Sequence, residues 1–261
     1  MLLQRESLQS LTSLSETELL EKQIAEYNAE QGHLKYFDCP KCKNKGYIAI
    51  AEEGTMAMQF CTCKEARKSA RLLEASGINE DYTLENYKAK FQWQQNILRS
   101  AEKFAENPRG WFYMGGQVGS GKSHICTGIV RKLIAKGNGA RYMKWRVDST
   151  VIKASIKYAD DYAGLVEPLK KASVLYIDDF LKTNSGEPTT ADINLAFEII
   201  NARYNRKDLV TIISSEYYIG DLLEVDQAVG SRVFERSRNY CHNIAKDKAK
   251  NYRLVNDGGR E

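Results

Sequence analysis

The residues most suited to chemistry lie between Gly116 and His124, where the chain fits the pattern Gly-x-x-x-x-Gly-Lys-Ser. An apolar run precedes this stretch and a helical pattern follows it, which is the context of a phosphate-binding loop. Glycines allow positive φ and turn backbone N–H groups toward a phosphate, and the next helix adds its positive end. The alternative is a glycine turn with an unrelated lysine. The predicted ATP-binding residues are Gly116, Gln117, Val118, Gly119, Ser120, Gly121, Lys122, Ser123 and His124.

Within this loop, Lys122 is expected to contact the β- and γ-phosphates and to act in catalysis, and the Ser123 hydroxyl is expected to bind Mg²⁺. A second motif supports this interpretation, because the apolar strand at 172–179 ends in Asp178 and Asp179. Carboxylates at the end of a buried parallel strand lie where such sheets bind ligands. We predict that Asp178 holds Mg²⁺ and that Asp179 polarises the attacking water.

Two cysteine pairs predict a zinc site. Cys39 and Cys42 form a Cys-Pro-Lys-Cys turn, and Cys61 and Cys63 form a Cys-Thr-Cys pair after two short strands at 47–50 and 56–60. Four thiolates on two hairpins would make a zinc ribbon. A redox pair or unrelated core cysteines are the alternatives, and His33 could replace one sulfur.

Further candidates follow the fourth strand of the predicted sheet. This strand ends in Ser214-Ser215-Glu216, and one of these residues, with Ser215 as the catalytic candidate, could sense the γ-phosphate or orient water. A simple strand end with a helix cap is the alternative. Arg232 and Arg236 share one helical face and could act as arginine fingers in a neighbouring subunit. The alternative is a solvated basic face paired with Glu235.

Composition limits the remaining possibilities. The chain has 261 residues, 43% of them hydrophobic and 28% charged, with a formal net charge of +4. It has no apolar run of membrane length and no signal peptide, so we expect a soluble cytoplasmic protein of a bacterium or a phage-infected host, without membrane contact. The net charge does not by itself predict nucleic-acid binding. Tyr142, Lys144, Trp145 and Arg146 could stack on and neutralise single-stranded DNA, or could simply end a strand.

Local patterns place these motifs on elements. Strands alternate with helices from 111 to 245, which predicts an α/β fold. The predicted helices cover about 15–30, 64–76, 92–106, 122–136, 148–171 with breaks near Gly164 and Pro168, 191–206 and 228–236, and the last strand lies near 240–245. The predicted domains are residues 1–75, a helix plus zinc ribbon, and residues 76–261.

The order of these motifs resembles that of AAA+ ATPases and, within them, the DnaC/DnaI helicase loaders, with the IstB transposition helpers as relatives. The resemblance covers about residues 36–255 and is carried by residues 116–123, 175–179, 230–236 and Tyr252-Arg253. The cysteine pairs are similar to those of the zinc-bearing DnaI branch and its bacteriophage-encoded counterparts. Loaders often carry Asn at the end of the sensor strand, and this chain departs from that pattern.

The resemblance implies a P-loop AAA+ core with a parallel sheet flanked by helices. About 25 residues follow Arg236, too few for a C-terminal helical lid of typical size. It also implies that residues 1–75 bind the replicative hexameric helicase and that residues 76–261 are an ATPase. The ATPase would use ATP, Mg²⁺ and Zn²⁺, bind single-stranded DNA and self-associate through the ATP site. Hydrolysis would be weak and stimulated by assembly or DNA. An IstB-like partner of a transposase and a small-molecule P-loop kinase are the alternative functions.

Overall fold

The computed structural model describes residues 15–184 and 186–255, which divide into two compact units between Arg71 and Leu72. In the first unit, α1 (Glu16–Ala29) begins with a capping box in which Ser15 and Glu18 bond each other's backbone. Strands β1 (Tyr47–Glu52) and β2 (Thr55–Phe60) form an antiparallel hairpin. Helix α2 (Cys63–Ser76) follows the hairpin directly, and its residues up to Arg71 belong to the first unit. The predicted helix and hairpin of this region are confirmed.

The second unit alternates strands and helices, as the sequence predicted. Its strands are β3 (Phe112–Gly116), β4 (Ala140–Lys144), β5 (Val174–Asp178), β6 (Val210–Ser214) and β7 (Cys241–Ile244). Its helices are α3 (Gln92–Glu106), α4 (Lys122–Ala135), α5 (Trp145–Ser155), α6 (Ala159–Lys171), α7 (Thr190–Tyr204), α8 (Ile219–Val225), α9 (Gln227–Ser237) and α10 (Tyr252–Val255). Short 3₁₀ turns cover Arg238–Tyr240 and Lys248–Lys250.

The five strands of the second unit form one parallel sheet in the order β4-β5-β6-β3-β7. Strands β3 and β6 are buried along their whole length, as strands covered on both faces must be. One apolar core, around Phe104 and Ile125, packs on one face, and a second, around Phe180 and Ile199, packs on the other. The carboxyl ends of β3, β5 and β6 therefore meet at one edge of the sheet.

The stretch at 148–171 was predicted to be helical with breaks near Gly164 and Pro168, and the positions of these breaks are wrong. The structure has two helices there, α5 and α6, and the chain breaks at 156–158. Gly164 and Pro168 lie inside α6, although a proline removes one helical hydrogen bond. Val166 and Leu169 are buried on either side of Pro168, and this packing holds the segment helical.

Arg203 is a buried charge that sequence patterns do not reveal. Its side chain is fully buried. It donates to the Thr211 hydroxyl at 2.9 Å and to the carbonyl oxygens of Leu169, Ala172 and Val210 at 2.9, 2.8 and 2.8 Å. These bonds tie the end of α6 to the start of β6, at the edge of the sheet opposite the carboxyl ends of β3, β5 and β6.

Two further expectations concern a helical lid after the sheet and a helix that could cross a membrane. After β7, the described residues up to Val255 form one 3₁₀ turn and the short α10, and they contain no helical bundle. Within residues 15–184 and 186–255, no helix combines the length and apolar character that crossing a membrane requires.

Candidate functional site

The glycine-rich loop joins β3 to α4 in the conformation that the sequence predicted. Gly116 and Gly121 have φ of +101° and +89°, which side-chain-bearing residues rarely adopt. A Cβ on Gly116 would also collide with the carbonyl oxygen of Ile244. Glycine is therefore required where the loop leaves the sheet.

Lys122 lies on the inner side of this loop, with only 6% of its surface exposed. Its Nζ donates to the carbonyl oxygens of Gly116 and Gln117, at 2.9 and 2.7 Å. Burial lowers the pKa of Lys122, and the negative charges of Glu216 and Asp179 oppose that shift. The ammonium group is thus held at the centre of the loop.

The Asp178 carboxylate accepts hydrogen bonds from several hydroxyl groups. The Ser123 hydroxyl donates to Asp178 Oδ1 at 3.0 Å, so the two predicted Mg²⁺ ligands are in direct contact. The hydroxyls of Tyr176 and Tyr142 also donate to this carboxylate, at 2.7 and 3.0 Å, and the Ser214 hydroxyl does the same. Hydroxyl and carboxylate oxygens at this spacing suit a Mg²⁺ ion that keeps several of its waters.

The sequence did not predict that Tyr142 and Tyr176 lie beside Asp178. Tyr142 and Tyr176 are paired across β4 and β5, and their rings stack with centroids 5.1 Å apart. Burial raises the pKa of each hydroxyl, so both remain neutral donors. The alternation along β5 could have shown Tyr176, which shares a face of the strand with Asp178, but only the sheet order places Tyr142 beside them.

Asp179 does not lie free beside the loop. Its Oδ2 is 3.3 Å from Lys182 Nζ, which also contacts the Glu216 carboxylate. The Glu216 and Asp179 carboxylates raise the pKa of Lys182, although burial acts in the opposite direction. These three residues were not expected to form a cluster.

The three sensor candidates have different surroundings. Ser214 contacts Asp178, and Glu216 lines the cavity next to the loop. The structure does not bring Ser215 into this cavity: its hydroxyl donates to the Phe180 carbonyl oxygen at 2.9 Å, and the side chain is fully buried.

A cavity of about 510 Å³ connects the loop with Asp178 and Asp179, and its volume is typical of ligand sites. Its other wall is aromatic. The His124 ring stacks on Tyr82, with centroids 4.6 Å apart, and meets Tyr87 edge-on at 5.1 Å. One end of the cavity therefore offers cations and backbone N–H groups, and the other offers aromatic faces.

The last described segment closes onto the loop. The Tyr252 N–H donates to the Gly119 carbonyl oxygen at 2.9 Å, and the Asp247 N–H donates to Gln117 Oε1 at 2.8 Å. Tyr252 and Arg253 both line the cavity. Arg253 thereby adds a cation that the sequence indicated only through the family resemblance.

The structure does not bring Arg232 and Arg236 into this cavity. The Arg232 guanidinium lies 5.2 Å from the Phe197 ring centre, and that of Arg236 lies 5.6 Å from the Trp111 ring centre. Arg236 also donates to the Tyr204 carbonyl oxygen at 3.2 Å. Among residues 15–184 and 186–255, no ion pair joins Glu235 to either arginine, so the pairing considered from sequence is absent there.

The prediction that Tyr142 and Trp145 could stack on single-stranded DNA is wrong. Trp145 is fully buried and packs edge-on against Phe180 at 5.0 Å, because it begins α5 rather than ending β4. Tyr142 is bonded to Asp178. Lys144 forms an ion pair with Glu80 at 3.1 Å.

The first unit contains a second site, in which the four predicted thiols converge. All four Sγ atoms lie within 4.8 Å of one another and all four residues are buried. The Cys39–Cys61 and Cys42–Cys63 Sγ distances are 3.6 and 3.5 Å. A tetrahedral zinc ion with Zn–S bonds of about 2.3 Å needs S–S distances of about 3.8 Å, so the cluster fits zinc.

The second cysteine pair differs from the expected hairpin. Cys61 follows β2 directly and Cys63 is the first residue of α2, so a strand–helix junction supplies these thiols. His33 is outside the cluster. Arg67 on α2 lies close by and donates to Asn44 Oδ1 at 2.6 Å, and the same oxygen accepts the Cys39 N–H at 2.9 Å. Arg67 thus brings positive charge to a cluster that holds excess negative charge with zinc bound.

Comparison with known proteins adds independent information. No family model matches the chain. Two proteins of Bacillus subtilis (strain 168) align with most of it. Uncharacterized protein YqaM is 27% identical over 84% of this chain and 86% of its own length. The phage-like element PBSX protein XkdC is 28% identical over 83% of this chain and 85% of its own length.

Replication proteins share the fold of the second unit. The replicative helicase loader DnaC of Buchnera aphidicola subsp. Schizaphis graminum is 25% identical over 67% of this chain and 71% of its own length. A crystal structure of the DnaC helicase loader has a TM-score of 0.50 at 18% identity and covers 68% of this chain and 99% of that one. AMPPCP-bound DnaA from Aquifex aeolicus has a TM-score of 0.53 at 19% identity and covers 67% of this chain and 53% of that one. The AAA+ fold and the resemblance to DnaC-type loaders are confirmed.

Proposed function

We propose that this chain is an ATP-dependent loader, which binds a replicative hexameric helicase and delivers it onto single-stranded DNA in the cytoplasm of a bacterium or a phage-infected host. The observation that carries the proposal is the combination of two sites in one chain. An AAA+ unit with a phosphate loop facing Asp178 and Asp179 is preceded by a separate unit built on four clustered thiols. Similarity to a DnaC loader over two thirds of the chain supports this choice.

ATP fits the cavity by the chemistry of its two ends. Lys122 and the loop N–H groups would bind the phosphates, and Tyr82, Tyr87 and His124 offer faces on which a base can stack. Mg²⁺, held by Ser123 and Asp178, would neutralise charge on the phosphates. Asp179 would accept a proton from the attacking water.

Hydrolysis is proposed to be weak in the isolated chain and stimulated by assembly or DNA. Arg232 and Arg236 lie outside the cavity of their own chain, so the proposed arginine finger is missing until a neighbouring copy supplies it, which supports a low basal rate. ATP binding would then act mainly by stabilising one conformation for helicase delivery. In this scheme residues 1–75 bind the helicase and residues 76–261 form the ATPase.

The decisive experiment is capture of the partner. The full chain, immobilised with a non-hydrolysable ATP analogue, is expected to retain the replicative hexameric helicase from host lysate, and less of it with ADP. Adding the purified chain and ATP to the purified helicase should then increase the amount of helicase bound to single-stranded DNA. Retention of a transposase instead would refute the loader and favour an IstB-like role. Phosphoryl transfer to a small metabolite, without helicase binding, would favour a kinase.

Self-association through the ATP site is the second part of the proposal, with Arg232 or Arg236 contacting the nucleotide of a neighbouring copy. Arg236→Ala is expected to leave ATP affinity of the monomer unchanged and to lower assembly-stimulated hydrolysis at least about tenfold, as arginine fingers do. Lys207→Ala, in the exposed loop after α7, is the matched control. Stimulated hydrolysis at the parent rate in Arg236→Ala would exclude Arg236 as the finger.

A further inference from the structure

Lys182 occupies a place in the site that no sequence motif accounts for. It follows β5 by four residues and lies between two carboxylates, Asp179 after β5 and Glu216 after β6. Its side chain is 28% exposed. It lines both the nucleotide cavity and an adjoining cavity of about 490 Å³. Lys182 therefore forms part of the wall at the phosphate end of the site.

The backbone holds Lys182 over Asp179 by a tight turn. Asp179 and Leu181 have φ of +52° and +61°, a conformation that costs free energy for residues other than glycine. The Lys182 N–H donates to the Asp179 carbonyl oxygen at 2.9 Å and closes the turn. Strain of this kind persists only where the surroundings enforce it, and it is concentrated at functional sites.

The surroundings that enforce this turn come from β6. The Phe180 N–H donates to the Ser214 carbonyl oxygen at 2.8 Å, and the Ser215 hydroxyl donates to the Phe180 carbonyl oxygen at 2.9 Å. The Phe180 side chain is fully buried. Ser215, which the sequence suggested as a catalytic residue, thus acts on the turn that carries Asp179 and Lys182.

The charges explain what Lys182 does there. Asp179 and Glu216 both contact one ammonium group, so their carboxylates lie close together on either side of it. Without that cation they would repel each other, and both would add negative charge where an anionic phosphate must bind. A cation fixed between them offsets this repulsion and holds both carboxylates in place.

We propose that Lys182 is a positioning residue for ATP hydrolysis, which holds Asp179 in the orientation needed to polarise the attacking water. The inference rests on the proposed ATPase function. In ATP hydrolysis the water oxygen forms a bond to the γ-phosphorus, while the bond between the γ-phosphorus and the β–γ bridging oxygen breaks. ADP leaves with that electron pair, and a water proton passes to Asp179 and then to solvent. Because Lys182 acts through Asp179, its loss should lower kcat and leave KM nearly unchanged.

The test compares Lys182→Met with two other variants in steady-state ATP hydrolysis by the full chain. Lys182→Met is expected to lower kcat about 10- to 100-fold, the effect of misplacing a catalytic group, with KM for ATP changed less than about threefold. Lys182→Arg should restore most of the rate because it keeps the cation. Lys170→Met is the matched control: Lys170 also bridges two carboxylates, those of Glu167 and Glu198 at 2.6 and 3.2 Å, away from the cavity.

A double variant separates this role from general destabilisation. Removing one carboxylate in Lys182→Met/Glu216→Gln should regain part of the lost kcat, because it removes the repulsion that Lys182 offsets. A raised KM with unchanged kcat in Lys182→Met, or no regain in the double variant, would overturn the proposal. Absence of hydrolysis by the parent, with or without single-stranded DNA, would instead refute the ATPase function itself.

Discussion

Lys122→Ala is expected to lower the affinity for MgATP about 100-fold or more. The ammonium group lies inside the loop, 2.9 and 2.7 Å from two loop carbonyl oxygens, where it can turn to the phosphates with little movement. Two charge-assisted hydrogen bonds of about 1.5 kcal/mol each would be lost, which corresponds to a factor of about 100. Titration with a fluorescent ATP analogue measures the effect.

Two control variants show whether the loss of affinity is specific to Lys122. Lys132→Ala, on the same helix but outside the cavity and paired with Glu85, should bind like the parent. Asp179→Asn should also bind normally but turn over slowly, because Asp179 is assigned to the water rather than to the phosphates. Parent-like affinity in Lys122→Ala would mean that the loop does not bind the nucleotide.

Removal of zinc is expected to unfold the first unit while leaving the second intact. Apart from the four cysteines, little apolar side-chain surface is buried in the first unit, and α1 buries no residue at all. A structural zinc ion contributes about 10–16 kcal/mol in small domains of this kind, more than such a core can supply. We expect one zinc ion per chain in the parent and almost none in Cys42→Ser.

Limited proteolysis and nucleotide titration distinguish local from general damage. In Cys42→Ser, a protease should cut within the residues before Leu72, and ATP affinity should be retained. Cys241→Ala, which changes a cysteine outside the cluster, is the control and should keep its zinc. A zinc-free parent with a protease-resistant first unit would show that the thiols pack without metal.

Sequence alone predicted the motifs whose functional groups lie close together along the chain. The Gly116–Ser123 loop, the Asp178-Asp179 strand end and the Cys39-x-x-Cys42 turn each place their groups through the local chain, so spacing sufficed to identify them. Alternation of strands and helices predicted the α/β fold for the same reason. The roles of the individual site residues, and the domain functions, stay predictions.

The tertiary structure decided what depends on sheet order and strand register. Tyr142 reaches Asp178 only because β4 lies beside β5, and Lys182 reaches Glu216 only because β6 lies on the other side. Trp145 is buried in the core because α5 begins at Trp145, three residues before the helix that the sequence predicted at 148. These contacts join residues far apart in the chain, and no local pattern records which strands are neighbours. For that reason the sequence indicated a nucleotide site, and only the fold showed how its carboxylates are held.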